Sequence, residues 1–335
     1  NKIKRKNIFK NKNYNSFEGL LISLLDDFMP TCFLENFDDI KTFVQNNIIV
    51  KNPKTIWTSN EFNTNLFFNY YVALVISKKT KYIIGQHGSA YGAVRDQFDT
   101  NEERISDRFI TWGWKQNKKH APIGIFSQLG KKNITNKVKE KKIKNIVLIN
   151  TNKPHNGYFW DVQKQFLRNL NDQIIFLKNL NFSLFEKVIV RIHHADQKYL
   201  NFYASKYKSL NKKIIIDDGT KKIEEYLNEE TFIVFSYLST GFFELASRNF
   251  YCMFFDSQSR SIYQSKFNKK LNELKKNNIF FENGEDISNY INSLSKENSL
   301  NLNCYHFKKK VYRFIKDYAN LKKVSFNKIL RLLNH

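Results

Sequence analysis

The sequence contains little cysteine, and its cysteines lie far apart. Only Cys32, Cys252 and Cys304 occur among the 335 residues, and no two of them form a C-x-x-C pair. A disulfide scaffold and a cysteine-ligated zinc site are therefore not expected. Because disulfide-poor sequences are typical of reducing compartments, we expect a cytoplasmic protein.

Long apolar runs are also missing. No run approaches the roughly 18 residues that a membrane-spanning helix needs, so the sequence predicts no membrane span. Apolar residues are nevertheless plentiful, with 41% hydrophobic and 16% aromatic residues, which excludes intrinsic disorder. The length of 335 residues suggests two domains or one large one.

Acidic residues are few relative to basic ones. The chain has 55 Lys and Arg against 31 Asp and Glu, a net charge of +24. Such an excess favours an anionic partner, namely nucleic acid, a membrane surface or an anionic substrate, and abundant Lys and Asn also indicate AT-rich coding. Nucleic acid is not expected, because no zinc-finger, RNP or helix-turn-helix signature is present. Local lysine runs occur at Lys131–Lys144, Lys266–Lys276 and Lys308–Lys310.

Strands and helices are predicted to alternate twice along the chain. Thr55–Thr58 and Lys81–Gly85 begin the first alternation, in which Arg108–Trp112 is a further strand. The apolar run Asn145–Asn150 begins the second alternation, after a polar linker. Helices are predicted there over Phe159–Leu170, Lys221–Asn228 and, at the end of the chain, Tyr305–Leu333. This pattern predicts the α/β class, with two doubly wound domains. The expected division is an N-terminal domain over 1–135, a C-terminal domain over 143–302, and closing helices over 303–335.

Ligands of doubly wound domains bind at the carboxyl ends of the strands. The first loop of this kind follows Gly85, reads QHGSAYG, and contains His87, Gly88, Ser89, Tyr91 and Gly92. Its glycines permit close approach of the backbone to a ligand, and His87 is a candidate catalytic group. Because a loop histidine is more often structural than chemical, a structural role for His87 is the alternative.

An acidic pair, Glu102-Glu103, follows this loop and precedes the segment ISDRFITWGW. A carboxyl group in a partly dry cleft can have its pKa raised toward neutrality, which suits a general acid or base. The alternative is a solvated loop with no chemistry. The sequence does not choose between the two glutamates.

Two more candidate groups follow predicted strands of the second domain. Asp161 lies near a predicted helix start, where it is either a capping residue or a catalytic carboxylate. Arg191, His193 and His194 end the VRIHH strand, where either histidine can bind a phosphate or carboxylate and Arg191 can brace the loop. A pair of structural histidines is the alternative.

The segment STGFFELASRN predicts a strand-to-helix turn at Ser239, Thr240 and Gly241. The free N–H groups and hydroxyls of a helix start form an anion site, which suits the phosphate of a nucleotide sugar. Glu244 lies one turn into the helix and is placed to accept from ribose hydroxyls. The alternative is a Ser/Thr cap with no ligand.

Taken in order, these segments resemble those of bacterial surface-carbohydrate transferases. The shared features are QHGSAYG, the acidic pair, ISDRFITWGW, VRIHH, STGFFELASRN and an aromatic-rich closing helix. In that group the first loop usually reads HGGxYG, and Ser89 stands here in place of the second glycine. The similarity covers about residues 50–320.

The resemblance implies a GT-B fold, in which two Rossmann-like domains face each other across a cleft. The group is similar to retaining β-Kdo glycosyltransferases, which use CMP-Kdo and a covalent Asp intermediate. Kdo is an eight-carbon acidic sugar of bacterial lipopolysaccharide and capsule. The implied partners are a CMP-sugar donor and a glycan or glycolipid acceptor, with peripheral contact at the cytoplasmic face of an anionic inner membrane.

The same resemblance implies residue roles. The nucleophile is the carboxylate that follows the NIVLIN strand, and Asp161 is chosen because no other Asp or Glu lies between Asn150 and Asp172. Glu102 or Glu103 is the implied acid/base. The implied donor ligands are Arg191, His193, His194, Ser239, Thr240, Gly241 and Glu244.

No metal or other cofactor is expected, because no D-x-D pair is placed for one. The helix start at Ser239 and the side chain of His194 are expected to stabilise the leaving phosphate instead.

Two alternative functions stay open. One is a GT-B enzyme that uses another nucleotide sugar or a CDP-polyol, and the other is a non-catalytic GT-B-like module that binds carbohydrate.

Overall fold

The computed structural model of the chain describes most of its residues. The described residues are 15–48, 50–76, 79–97, 99–128, 143–151, 160–228, 230–257, 262–296, 304–320, 327 and 329–331. Among them, parallel strands alternate with helices, which confirms the predicted α/β class. None of the helices in these ranges is both long enough and apolar enough to cross a membrane.

The chain divides into two compact units. Unit 1 comprises Asn1–His87, Asn101–Phe109 and Leu330–His335, and unit 2 comprises Gly88–Thr100 and Ile110–Ile329. In this division the segments Gly88–Thr100 and Ile110 onward belong to unit 2. The expected linker lies largely in residues 129–142, outside the described residues, so the boundary expected near residue 135 stays a prediction.

Unit 1 contains two parallel strands and several helices. Strand β1 (Thr55–Thr58) pairs with β2 (Lys81–Gly85) in the register Thr55 to Lys81. The apolar residues of β2 are fully buried, with Ile83 and Ile84 at 0% exposure. The helices are α1 (Phe17–Phe28), α2 (Phe37–Asn47), α3 (Glu61–Thr64), α4 (Leu66–Ile76) and α5 (Asn101–Ile105), of which α4 and α5 pack against β2.

Two further strands follow α5 along the chain. They are β3 (Arg108–Thr111) and β4 (His120–Pro122). The predicted strand beginning at Arg108 is thus confirmed. In unit 2, the backbone N–H groups of Ile123 and Gly124 both donate to the carbonyl oxygen of Thr111, at 3.0 and 3.2 Å.

Unit 2 contains a fully parallel sheet of six strands among the described residues. The strands run in the order β10-β9-β8-β5-β6-β7. Numbered from β5 as the first, this is the doubly wound order 3-2-1-4-5-6 of dinucleotide-binding folds. The strands are β5 (Asn145–Ile149), β6 (Lys187–Arg191), β7 (Ile214–Asp217), β8 (Thr231–Phe235), β9 (Cys252–Phe255) and β10 (Phe280–Phe281).

Helices cover both faces of this sheet, so its central strands are apolar throughout. Ile146, Val147 and Leu148 of β5 are all 0% exposed, as a parallel strand buried on both faces requires. The helices are α6 (Trp160–Asn179), α7 (Leu200–Lys208), α8 (Thr240–Ser247), α9 (Ser265–Lys276), α10 (Gly284–Lys296) and α11 (Cys304–Tyr318).

Three predicted helices differ from the observed ones. The helix predicted over Phe159–Leu170 runs as α6 to Asn179, because its apolar face continues to bury residues such as Phe176. The short helix predicted over Lys221–Asn228 is a 3-10 turn, Ile223–Tyr226. The closing helix predicted over Tyr305–Leu333 ends, as α11, at Tyr318.

Candidate functional site

The candidate site of unit 2 lies at the carboxyl ends of β5 and β8. The chain leaves β5 toward β6 and β7 on one side and returns to β8 on the other. Connections that diverge in this way leave a crevice between two adjacent strands, and ligands of doubly wound sheets bind in it. The loop Ser236–Ser239 and the start of α8 line this crevice.

Ser239 forms the start of α8 as the sequence predicts. Its backbone is extended (φ −102°, ψ 159°), and its Oγ accepts a hydrogen bond from the N–H of Phe242 at 3.2 Å. The N–H groups of Thr240 and Gly241 belong to the first turn, which has no intrahelical acceptors. Because the Ser239 hydroxyl accepts this capping bond and the residue is only 4% exposed, the groups placed to donate to an anion are the backbone N–H groups of this first turn.

The loop that follows His87 packs against this helix start. Ser89 Oγ donates a hydrogen bond to the carbonyl oxygen of Leu238, at 3.3 Å. Farther along, the N–H of Gln264 donates to the carbonyl oxygen of Ala93, at 2.9 Å. Two segments that the sequence assigned to different domains therefore meet in unit 2.

The two glycines of the loop have different surroundings. Gly92 has a φ of +72°, and a Cβ there would lie 2.5 Å from the Trp114 ring. Gly92 therefore permits a close approach of the backbone to the TWGW segment, and the approach of this loop to a ligand stays a prediction. A Cβ at Gly88 would meet no atom within 4 Å.

Glu244 has a partner from the segment after β4. Ser127 Oγ donates a hydrogen bond to Glu244 Oε1. The carboxylate is half-buried on the first turns of α8. One of its oxygens is thus committed to Ser127, and the other is available for a ligand hydroxyl.

A buried network of polar side chains lies beneath the crevice, and sequence reasoning missed it. Ser236 Oγ donates to the carbonyl oxygen of Ile149 at 2.9 Å, which joins the ends of β8 and β5. Gln173 Nε2, from α6, donates to Ser236 Oγ at 3.1 Å. The complete network consists of Asn150, Asn169, Gln173, Tyr207 and Ser236.

The Tyr207 hydroxyl is a hydrogen-bond donor in this network. Burial raises the pKa of its phenol well above the usual value, so the hydroxyl stays protonated and donates to Gln173 Oε1. Asn150 Nδ2 donates to the same hydroxyl at 3.3 Å. These hydrogen bonds connect α6 and α7 to the ends of β5 and β8, which carry the site. The sequence signal was Asn169 and Gln173, two amides four residues apart on an otherwise apolar helix face.

Arg191 braces the loops that follow β6 and β7. Its guanidinium lies 2.6 Å from the Asp217 carboxylate and donates to the carbonyl oxygens of Gly219, at 3.2 Å, and Lys221. Tyr226 donates to the same Asp217 carboxylate at 2.7 Å. The structure thus places Arg191 in the bracing role that the sequence allowed, with its donors turned toward the protein.

His193 and His194 follow β6 at the same edge of the sheet as the helix start. His193 Nδ1 accepts a hydrogen bond from the N–H of Ala195 at 3.2 Å, and the two imidazole rings lie 4.4 Å apart. His194 is exposed. Since β5 separates β6 from β8 and strands lie about 4.8 Å apart, the two strand ends are about 10 Å from each other.

Asp161 lies in the first turn of α6, directly after β5 and its loop. This is the backbone position that the sequence predicted. The side chain of Asp161 and the loop 152–159 lie outside the described part of the structure. The proposed nucleophilic role therefore stays a prediction.

The remaining candidates belong to unit 1 and are described there. His87 is exposed, and its ring lies 6.3 Å from that of Phe62. Glu102 and Glu103 form the first turn of α5, which packs against β2. Glu103 is 4% exposed, whereas Glu102 is half-buried and accessible to a substrate.

No cluster of three or more His, Cys, Asp or Glu side chains suited to a metal ion occurs within the described ranges. The expectation of metal-free chemistry nevertheless stays a prediction. What the described residues offer an anion is a helix start, two histidines and a glycine-containing loop. This donor set suits a phosphate or carboxylate.

Two solved structures are similar to this chain. One is WaaG, described as a glycosyltransferase involved in lipopolysaccharide biosynthesis, with 11% identity and a TM-score of 0.43 over 89% of this chain and 82% of that chain. The other is the wall teichoic acid polymerase TagF, with 13% identity and a TM-score of 0.43 over 89% of this chain and 84% of that chain. No curated protein sequence matches the chain.

A protein-family model also matches the chain. The model of the LIC12162 family transferases matches residues 1–320 of this chain. The transferase class expected from the sequence is thereby confirmed. Since the match spans nearly the entire chain, the protein belongs to the LIC12162 family of transferases.

Proposed function

We propose that this transferase is a GT-B glycosyltransferase of bacterial surface-polysaccharide synthesis that transfers Kdo from CMP-Kdo. The observation that carries the proposal is the contact of Ser89 with Leu238, immediately before the helix start at Ser239. It joins the two loops with the strongest sequence resemblance to surface-carbohydrate transferases at the edge of a doubly wound sheet. Such an edge is where nucleotides bind.

The helix start is the proposed phosphate site. The N–H groups of Thr240 and Gly241 point out of α8, and the positive end of the helix dipole favours an anion there. His194, exposed about two strand spacings away, supplies a second contact to the phosphate or to the Kdo carboxylate. Glu244 accepts from ribose hydroxyls through the oxygen that Ser127 does not occupy.

Thermal shift with free nucleotides tests this site. The protein is titrated with CMP, CDP, UDP and GDP, and CMP is expected to give the largest rise in Tm. A ligand at about 100 times its Kd stabilises the fold by about 2.7 kcal/mol. A larger shift with UDP or GDP would replace the Kdo assignment by another nucleotide sugar, and a larger shift with CDP would favour a CDP-polyol.

The transfer step is proposed to occur in two displacements with net retention. The Asp161 carboxylate attacks the anomeric carbon, the bond to the CMP phosphate breaks, and a glycosyl ester forms on the protein. Glu102 or Glu103 then removes the proton of the acceptor hydroxyl, which attacks the same carbon and releases Asp161. The helix start stabilises the leaving phosphate without a metal, so a chelator is expected to leave turnover unchanged.

We also propose that unit 1 contacts an anionic membrane surface through α1. Five large apolar side chains recur along one stripe of this helix and are 40% to 76% exposed, namely Phe17, Leu20, Leu21, Leu24 and Phe28. The sixteen residues that precede this helix in the sequence contain six Lys or Arg and no acidic residue. An apolar stripe beside basic residues is the pattern of helices that lie in the headgroup region of anionic bilayers.

Vesicle flotation tests the membrane contact. Wild type is expected to float with phosphatidylglycerol vesicles, and a Leu20→Ser/Leu24→Ser variant to remain in the soluble fraction. Leu167→Ser is the matched control, because Leu167 is 61% exposed on unit 2. If the double variant still floats, or if it changes only the oligomeric state in solution, the stripe has another partner and the proposal fails.

A further inference from the structure

A strongly basic cleft lies on unit 2 between the end of α9 and the middle of α11. Its volume is about 800 Å³, which is large enough for several sugar units. The residues that line this basic cleft are Glu273, Lys276, Asn277, Lys308, Lys309, Lys310, Tyr312 and Arg313. It involves neither the crevice at β5 and β8 nor any candidate residue described above.

Two of the lysine runs in the sequence meet at this cleft. Lys266–Lys276 forms most of α9, and Lys308–Lys310 lies on α11. The apolar faces of the two helices pack together, with the Phe267 ring 4.8 Å from that of Tyr318. This packing leaves the basic faces side by side, and Lys310 Nζ donates to the carbonyl oxygen of Asn277 at 3.5 Å.

In the described part of the chain, Glu273 is the one acidic residue that lines the basic cleft. Glu273 pairs with Lys270 at 3.7 Å. Other lysines of α9 have acidic partners, as Lys275 has in Glu282. Among the described residues, however, no ion pair forms with the cations that line the cleft, Lys276, Lys308, Lys309, Lys310 and Arg313. Five cations around one concavity produce a positive potential that an anionic ligand lowers.

The shape and chemistry of the cleft indicate the class of ligand. A planar bilayer cannot enter a concave site, whereas a flexible chain can. Tyr312 lines the cleft and is 38% exposed, and the guanidinium of Arg313 matches the geometry of a carboxylate or phosphate. We infer that the basic cleft binds an acidic oligosaccharide, one that bears carboxylates or phosphates, outside the proposed nucleotide site.

This inference rests on the proposed function at one point, which is that the anionic ligand is a glycan and not another anionic polymer. A glycosyltransferase that extends a charged polymer gains from a second contact with that polymer, because the tethered end then stays close to the catalytic site. Binding is measured without donor or turnover. The proposed function can therefore fail while the cleft still binds glycan, and the reverse also holds.

Fluorescence anisotropy with a labelled hexagalacturonate tests the inference, with labelled maltohexaose as the neutral probe of equal length. Wild type is expected to bind the acidic probe and not the neutral one. Lys308→Gln/Lys309→Gln is expected to weaken binding at least tenfold, while Lys212→Gln/Lys213→Gln, the same charge change at an exposed site, stays within twofold. Raising the salt from about 50 to 200 mM should weaken wild type more than the cleft variant.

Tyr312→Leu separates a sugar site from a simple anion site. It is expected to weaken hexagalacturonate binding several-fold and to leave the binding of inorganic tripolyphosphate unchanged. Equal binding of both oligosaccharides, or equal loss in both lysine variants, overturns the inference. So does preferential binding of phosphatidylglycerol vesicles or of single-stranded DNA that depends on Lys308 and Lys309, since the cleft then serves a membrane or a nucleic acid.

Discussion

Ser89 Oγ donates a hydrogen bond to the carbonyl oxygen of Leu238, a residue 149 positions away along the chain. The bond positions the loop after His87 beside the start of α8, next to Ser239. It also gives a physical role to the residue at which this loop departs from the HGGxYG pattern. A glycine at position 89 has no side chain to make this contact.

Thr240→Glu should separate the stability of α8 from its proposed phosphate site. A negative side chain in the first turn stabilises a helix by about 0.3–1 kcal/mol, so the Tm should be unchanged or higher. The same charge repels a phosphate at the helix start, so CMP binding should weaken at least tenfold. Isothermal titration with CMP measures this, and Thr240→Gln is the uncharged control. Unchanged CMP affinity in the Glu variant would locate the phosphate elsewhere.

Asp161→Asn should remove the proposed nucleophile and little else. Turnover is expected to fall by about three orders of magnitude or more, with donor binding and Tm retained, since Asn caps helices as well as Asp. Wild type given donor alone should gain the mass of one sugar on the peptide that contains Asp161. Asp218→Asn, at a half-buried carboxylate in the loop after β7, is the control. An active Asp161 variant would leave Asp161 with a capping role only.

The two glutamates of α5 should respond differently to the same change. Glu102 is accessible, so Glu102→Gln should keep its stability and lose about 10²–10⁴-fold in turnover if it is the acid/base. Glu103 is 4% exposed, so Glu103→Gln should lower the free energy of unfolding by about 1–3 kcal/mol. Urea unfolding and initial rates measure the two effects. The reverse pattern would assign the chemistry to Glu103.

Arg191→Gln should destabilise unit 2 strongly. It leaves the Asp217 carboxylate, whose side chain is 4% exposed, without its cation, and an uncompensated buried charge costs about 3–5 kcal/mol. Glu230→Gln breaks the exposed pair of Lys144 and Glu230 at 3.1 Å and should cost less than about 1 kcal/mol. Urea unfolding compares the two variants. If the two variants lose similar free energies of unfolding, the pair of Arg191 and Asp217 contributes little to stability.

The stability of the protein should fall at alkaline pH, and Tyr82 should contribute to the fall. Burial raises the pKa of the Tyr82 phenol to about 12 from its usual value of 10.0. The folded state thus retains a proton that the unfolded state loses, so this contribution is present below pH 10 and is lost as the pH rises toward 12. Urea unfolding at pH 8, 10 and 11 should show a shallower decline for Tyr82→Phe than for wild type. Parallel declines would contradict this assignment.

Several features of the chain were predictable because short-range interactions determine them. The strand β5 follows from a run of apolar residues with no polar interruption, and the start of α8 follows from a serine whose hydroxyl reaches an N–H three residues ahead. The α/β class follows from the alternation of such elements. The helix Ile223–Tyr226 was predicted less well, because four residues supply too little periodicity to separate an α-helix from a 3-10 turn.

Local sequence patterns therefore predict the elements, their order and the polar residues at the strand ends. Tertiary packing makes β5 and β8 neighbours, brings Ser89 to Leu238, pairs Arg191 with Asp217 and places two lysine runs at one cleft. The two kinds of feature differ because the interactions that determine them act over different distances along the chain. Propensities, caps and periodicity act over a few residues, whereas these contacts join residues that only the packing of apolar faces brings together.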